Sequence, residues 1–407
     1  MRHISRFLFL VFMLCAYTSP LSAQWIQTNG IYDGYINALV VDGWNLFAGT
    51  DLNGVFLSTN GGTSWSHMGL TNNYVLSLAI SGSNLLAGTC VGVFLSTNSG
   101  ASWTQVDSGL GVTCVYAFAV SGSNLFAATE NGVFLSTNSG TSWAPVDSGL
   151  TNIWVNTLAV SGTNVFAGTN GGGVFLSTNN GTSWTAVNTE LYVLPSTVIS
   201  SLAISGTDIF AGTKGGGVFL STNNGTSWTQ VNTGLTDTNV LSFALSNTNL
   251  FAGTWRSGVF LSTNRGANWI QVDSGLANTE VMCLAVSGTN LFAGTYGGGV
   301  WRRSLSEMIT SVKNRAEGMS SHFLLTQNYP NPFNPSTVIS YQLSANSLVT
   351  LRVYDVLGRE IKTLVNERQI AGNHSVRFNG SNLPSGVYFY RLEAGAYHDT
   401  KNLLLLK

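Results

Sequence analysis

One phrase is written six times along this chain. It reads Ser-Thr-Asn-x-Gly-x-Ser/Asn-Trp at 58–65, 96–103, 136–143, 177–184, 221–228 and 262–269. Its tryptophans, Trp65, Trp103, Trp143, Trp184, Trp228 and Trp269, fall 38 to 44 residues apart. A period near forty built only of short strands confines the chain to stacked units or a propeller. Each unit holds four strand-like runs; the third has VYAFAVS, NLFAAT, GVFLSTN and SWAPV, separated by Gly, Ser and Asn turns. Four antiparallel strands per forty residues predict a propeller blade.

The second-strand phrase sets the blade count. It occurs at 45–50, 84–89, 124–129, 164–169, 208–213, 249–254 and 290–295, seven times in all. The seventh unit ends in GGGVWRRS with no fourth strand, while an orphan QWIQ containing Trp25 opens the series 40 residues before Trp65. Pairing that orphan with the seventh unit closes a ring and removes two sheet edges that would invite aggregation. The expected fold is all-β: a seven-bladed β-propeller over 24–304 with four-stranded blades, the N-terminal strand closing the last, followed by a small immunoglobulin-like β-sandwich.

The copied phrase resembles the Asp-box, or BNR, repeat of sialidase-like propellers, Ser-x-Asp-x-Gly-x-Thr-Trp. Asn60, Asn98, Asn138, Asn179, Asn223 and Asn264 stand where that family has Asp. Either side chain can bond backbone N–H groups two residues on and hold a turn. The glycines that follow, from Gly62 to Gly266, supply turn dihedrals that other residues resist. Each Trp then starts an outer strand and buries its ring. Neutral Asn cannot concentrate charge on calcium. The GGG runs at 171–173, 215–217 and 297–299 lead into strands and lack a Gly-Lys-Ser/Thr ending, so they read as hairpin turns. No metal and no cofactor is expected.

Where the copying stops, binding chemistry can accumulate. The residue before the β-branched start of each first strand is Tyr35, Tyr74, Cys114, Trp154, Val198, Asn239 or Glu280; the residue after the second-strand phrase is Asp51, Cys90, Glu130, Asn170, Lys214, Trp255 or Tyr296. In a four-stranded meander both columns belong to the face opposite the box turns, around the channel mouth. Aromatics beside carboxylates there could stack on sugars and bond their hydroxyls, which makes Tyr35, Tyr74, Trp154, Glu280, Asp51, Glu130, Lys214, Trp255 and Tyr296 the candidate ligand-binding set. The competing reading is loops that merely tolerate drift.

Catalysis finds little support. The sialidase resemblance implies three arginines gripping a carboxylate, a Tyr–Glu pair and an acidic general acid. The ring segment holds only Arg256, Arg265, Arg302 and Arg303, all in its last two units, and no Arg-Ile-Pro motif. Asp51, Glu130 and Glu280 could serve a glycosidase, but nothing in the sequence pairs them. His67 is the only histidine in the ring, so a histidine-based triad lacks a base. No catalytic residue is assigned.

Export is written at both ends. Arg2, His3 and Arg6 precede the apolar run FLFLVFMLCA and then YTSPLSA, the layout of a signal peptide over 1–23. Removing it leaves Cys90, Cys114 and Cys283, which cannot all pair within the chain. Buried free thiols are the favoured reading, with a Cys90–Cys114 bridge across the mouth as the alternative. No segment is suited to span a membrane, and a chain with net charge -1 is a poor match for nucleic acid.

After Ser304 the composition changes from 5 basic and 11 acidic residues over 24–304 to 10 basic and 7 acidic over 305–407. Residues 305–323 read as a linker, and Pro330, Pro332 and Pro335 should stiffen the next segment into an extended entry. The motifs NYPNPFNPST, YDVLGRE, SGVYFYRL and a lysine-ended tail closely resemble the type A C-terminal sorting domain of the type IX secretion system, over 324–407. The resemblance implies passage across the outer membrane, recognition by the type IX machinery through residues such as Arg352, Arg359 and Lys407, and removal of the domain by a sortase-like peptidase. The expected protein is a secreted or cell-surface propeller that binds glycan or protein or serves as a scaffold. The alternatives are a divergent sialidase-like glycoside hydrolase and a structural surface component.

Overall fold

The computed structural model describes residues 24–31, 34–71, 73–191, 198–310, 312, 323–343, 346–370, 372–395 and 397–407. The signal peptide expected over 1–23 lies outside them. The chain divides into two compact units, Met1–Ile309 and Thr310–Lys407.

The first unit contains seven four-stranded antiparallel sheets. Six are meanders in chain order, such as Val115–Ser121, Asn124–Thr129, Gly132–Ser136 and Ala144–Pro145. The seventh takes Val281–Ser287, Asn290–Thr295 and Gly299–Ser304, and its fourth strand is Ile26–Gln27, with Ile26 opposite Arg302 and Gln27 opposite Trp301. The first strand of each sheet packs beside that of the next, and Ile36–Asp42 packs beside Val281–Ser287, so the series closes on itself. This is the ring that the orphan Trp25 strand predicted.

The copied phrases hold blade to blade. In the second strand, Leu46, Phe47 and Ala48 are buried, as are their counterparts in the other blades. Gly49 has no room for a side chain: a Cβ there would stand 2.6 Å from Val75 Cγ1 of the next blade. The threonine ending the phrase is fully buried in all seven copies. Thr50 Oγ1 donates to Gly54 O at 2.8 Å, and the same bond recurs from Thr89, Thr129, Thr169, Thr213, Thr254 and Thr295. Each loop into the third strand is thus closed from beneath.

The box turn works by side-chain bonds. Ser58 Oγ donates to Asn60 Oδ1 and accepts from the Gly62 N–H, while Asn60 Oδ1 accepts from the Ser64 N–H. The same three bonds recur at 96–102, 136–142, 177–183, 221–227 and 262–268. The asparagine therefore reaches four residues on, not two as the Asx pattern suggests, because the residue before each glycine also takes a left-handed φ and tightens the turn.

The tryptophan ending each phrase reaches into the preceding blade. Nε1 of Trp103, Trp143, Trp184, Trp228 and Trp269 donates to a main-chain carbonyl there, at Met68, Val106, Val146, Val187 and Val231. Trp65 uses Thr28 Oγ1, and Trp25, which starts the closing strand, uses Val272 O at 2.7 Å.

Blade seven has no box. Arg303 occupies the register position of the box serine, opposite Leu291 as Ser58 is opposite Leu46. It is buried and donates from Nη1 to Val272 O. The first part of the segment read as a linker is a helix over 305–310, with Leu305 and Met308 buried. Apolar residues three apart, too few to show a period in the sequence, are enough for one helical turn against a core.

The second unit is a two-sheet sandwich. Leu324–Leu325, Ser336–Leu343 and Gly372–Asn379 form one sheet; Glu360–Gln369, Ser347–Tyr354, Gly386–Ala394 and Tyr397–Leu405 form the other. The alternating residues of Leu351, Val353, Tyr390, Leu392, Leu403 and Leu405 fill the space between them with Phe333, Ile339 and Phe378. The proline segment is not extended: the Tyr329–Pro330 and Asn331–Pro332 bonds are cis, and the chain turns there. The turn is held by Asn328, whose Nδ2 donates to Pro330 O and Thr337 Oγ1. It also pins the last strand, because Asn331 Oδ1 accepts from Leu404 N–H and the Phe333 N–H donates to Leu404 O. The proline segment is thus held against residues some seventy positions away, a contact that the local sequence does not specify.

Tyr390 ties the same region. Its hydroxyl accepts the Asn328 N–H at 2.9 Å and donates to Thr326 O at 2.7 Å. Burial pushes the phenol up to about 12, from the ordinary 10.0. The folded domain thus holds this proton at pH values where the unfolded chain releases it. Its contribution is complete below pH 10 and is lost between 10 and about 12. Alkaline melts of the full chain should show the sandwich transition falling through that window, with Tyr390→Phe flattening the fall. An unchanged slope in the variant would mean another group titrates.

Candidate functional site

Each first strand carries one extra residue just after its β-branched start. Ile36 faces Thr50 and Ala38 faces Gly49, so Asn37 is the bulged residue, and the same register shift recurs in all seven blades. A bulge re-aims a side chain and twists the strand. The bulge column is Asn37, Leu76, Tyr116, Asn156, Ser200, Leu241 and Met282. The sequence reading passed over it, because strict alternation assigns these residues no special place. The signal available was its composition, as scattered as the two columns beside it.

The two scattered columns form one belt. Within a blade they meet through the backbone: Asp51 N–H donates to Tyr35 O, Asn170 to Trp154, Lys214 to Val198, Trp255 to Asn239 and Tyr296 to Glu280. At four of the steps between blades, the residue after one second strand meets the residue before the next first strand. Asn170 bridges Val198 and Lys214 bridges Asn239. Tyr296 of blade seven stacks on Tyr35 of blade one, centroids 4.1 Å apart and planes 25° apart. At the step from blade two to blade three the contact is covalent.

Cys90 and Cys114 form a disulfide. The expectation of free thiols therefore fails for this pair, and among the described residues Cys283 alone is a free cysteine, buried. A spacing of 24 residues does not reveal that these positions are neighbours; the belt does.

The belt groups the candidate residues unequally. Tyr35, Tyr296 and Trp255 cluster, with Trp255 tilted 55° to Tyr296 at 5.9 Å between centroids. Asp51 joins them through its N–H, which donates to Tyr35 O, and its Oδ1 accepts from Asn37 Nδ2 at 2.6 Å. The Tyr296 phenol is held above its usual value, chiefly by Tyr35, then by burial, with Glu280 and Asp51 adding to the effect. On the other side of Trp255 lies a cavity of about 220 Å³ lined by Lys214, Asn239, Leu241 and Trp255. A second group forms at blades three and four, where Trp154 stacks with Tyr116 at 6.2 Å and the Tyr116 hydroxyl points to Glu130 at 3.5 Å. Burial, then Glu130, raises the Tyr116 phenol. Tyr74 stands exposed on blade two, outside both groups. The box residues line neither group.

Comparison with known proteins follows this division. Residues 327–406 match the family described as secretion system C-terminal sorting domain. The C-terminal sandwich is a secretion sorting domain. Residues 87–209 match the family described as DUF6242 beta propeller domain. No curated protein matches the chain. Among solved structures, YCF48 bound to D1 peptide is 16% identical, covering 70% of this chain and 96% of its own, with a TM-score of 0.55. The GH74 enzyme of Niastella koreensis is 18% identical over 67% of this chain and 43% of its own, at 0.50. PorZ, described as an essential surface component of the type-IX secretion system of Porphyromonas gingivalis, is 15% identical over 91% of this chain and 59% of its own, also at 0.50. At such identities these structures establish the propeller fold alone.

The sorting domain gives the chain its address: export to the cell surface or the medium. No helix among the described residues is long and apolar enough to cross a membrane. Of the three basic residues expected to act in recognition, Arg359 pairs with Asp355 at 2.7 Å and Arg352 lies 3.7 Å from Glu360. Lys407 Nζ donates to Ser381 O at 2.6 Å.

Proposed function

We propose that this exported propeller is a non-catalytic binding module whose channel-mouth belt recognises a glycan or protein at the cell surface. One observation carries the reading: seven copied blades hold, at fixed places on one rim, side chains whose chemistry changes from blade to blade. The bulges, the threonine-closed loops and the disulfide keep those places rigid, which lowers the ordering cost of recognition. We further read the six box turns as Asp-box-like structural devices, and the type IX machinery with a sortase-like peptidase as the partners of the sorting domain.

A screen of the chain from Gln24 to Lys407 against surface glycans and envelope proteins tests this. A ligand should be found whose binding falls about tenfold or more in Trp255→Ala or Trp154→Ala, as expected for a buried aromatic anchor, with melting unchanged. Equal loss of binding and stability would make both residues packing elements and favour a structural surface component. Glycoside turnover that disappears in Glu280→Gln would restore the hydrolase reading.

A further inference from the structure

The belt offers two different chemistries within one arc. Blades five and six present the exposed basic side chains of Lys214 and Arg256; blades seven and one present Glu280 and Asp51. Neither carboxylate belongs to any ion pair among the described residues. Among the described residues, the side-chain donor to Asp51 is the neutral amide of Asn37. Carboxylates offer acceptors, and beside these two stand two phenolic oxygens, so this end of the arc is rich in acceptors.

The aromatic rings restrict what can use them. Tyr296 is covered on one side by Tyr35 at 4.1 Å and faces Trp255 at 5.9 Å, so the rings already touch and leave no slot for a flat sugar ring between them. Tyr35 is 38% exposed and Tyr296 41% exposed, so their remaining surface and rims face solvent. Aromatic surface next to unpaired carboxylates attracts an organic cation through the ring quadrupole and through charge-assisted hydrogen bonds. A bare divalent metal is a poorer match, because no group of three ligand-type side chains converges among the described residues and a hard cation asks for six or more oxygens.

Resting on the binding reading above, we infer that the Tyr35–Tyr296–Trp255 cluster, with Glu280 and Asp51 beside it, receives a lysine or arginine side chain of a partner protein. The site is assembled at ring closure: Tyr296 and Glu280 come from the seventh blade, Tyr35 and Asp51 from the first. Its chemistry depends on charge and aromatic surface, not on the tyrosine hydroxyl, and this separates it from a hydrogen-bonded glycan site.

The test is a fluorescence titration of the chain from Gln24 to Lys407 with a tri-lysine peptide, a tri-arginine peptide, the fully N-acetylated tri-lysine peptide, and acidic and neutral oligosaccharides. The cationic peptides should bind, and acetylation should abolish binding. Glu280→Gln and Tyr296→Ala should each weaken binding by about tenfold, the scale of one charge-assisted or cation–π contact at a partly desolvated site. Tyr296→Phe should stay within about threefold, because the ring is kept. Asp42→Asn, at the exposed end of the first strand and outside the belt, should leave binding unchanged and so exclude general attraction to an acidic ring. Equal binding of the acetylated peptide, or an equal effect of Asp42→Asn and Glu280→Gln, overturns the inference. Oligosaccharide binding that needs Lys214 and Trp255, without peptide binding, overturns it while sustaining the mouth as a binding site. Silence from every ligand removes both.

Discussion

Replacing Trp25 by alanine should lower the melting temperature of the propeller by something on the order of 10 °C. The side chain is 3% exposed, and its Nε1 and backbone N–H are both held by blade six, at Val272 O and Ser274 O. Removing a buried tryptophan typically costs about 3–5 kcal/mol, and each kcal/mol moves the midpoint of a large domain by about 2–4 °C. The strand behind it is only Ile26–Gln27, too short to stay paired without its anchor. Losing it bares the Gly299–Ser304 edge. Trp25→Ala should therefore also self-associate in size-exclusion chromatography, since exposed strand edges template pairing between chains. Trp228→Ala, an equally buried change inside an intact blade, should melt early but stay monodisperse. Wild-type melting and elution of Trp25→Ala would show that the ring does not need its clasp.

The second large effect concerns the disulfide. Cys90 and Cys114 close a loop with a sequence separation of 24. In the chain-entropy account such a link stabilises by about 3 kcal/mol, by restricting the unfolded chain. Export places the protein where the bond persists. Urea unfolding with and without reductant should differ by about that amount. The double variant Cys90→Ser/Cys114→Ser should match the reduced protein and no longer respond to reductant. Cys283→Ser should keep the full response, because that thiol is buried and apart. A double variant as stable as the oxidised protein would make the bond a local feature with no mechanical role.

Local, repeated information is what the chain spells out by itself. The period of the tryptophans, the seven second-strand phrases and the orphan Trp25 were enough for blade number, strand order and ring closure, because each blade is a meander of neighbouring segments joined by short turns. The sorting motifs were legible for the same reason. Their alternating strands fill a small core that differs visibly from the repeat in charge and composition.

Contacts between distant segments were decided by the tertiary structure alone. The Tyr35–Tyr296 stack and the cavity beside Trp255 join residues of different blades, as does the Cys90–Cys114 bond, which the sequence offered only as the less favoured alternative; their pairing follows from the ring's geometry. The bulge column needed the hydrogen-bond register: its scattered composition marks it as variable, but nothing local says that its residue is the one inserted. The contacts of the 328–333 turn with Thr337 and Leu404, and the burial that fixes the helix over 305–310, likewise lie beyond local sequence. A repeat specifies its own unit through short-range pattern; the chemistry at its rim arises only when units far apart in the chain are brought side by side.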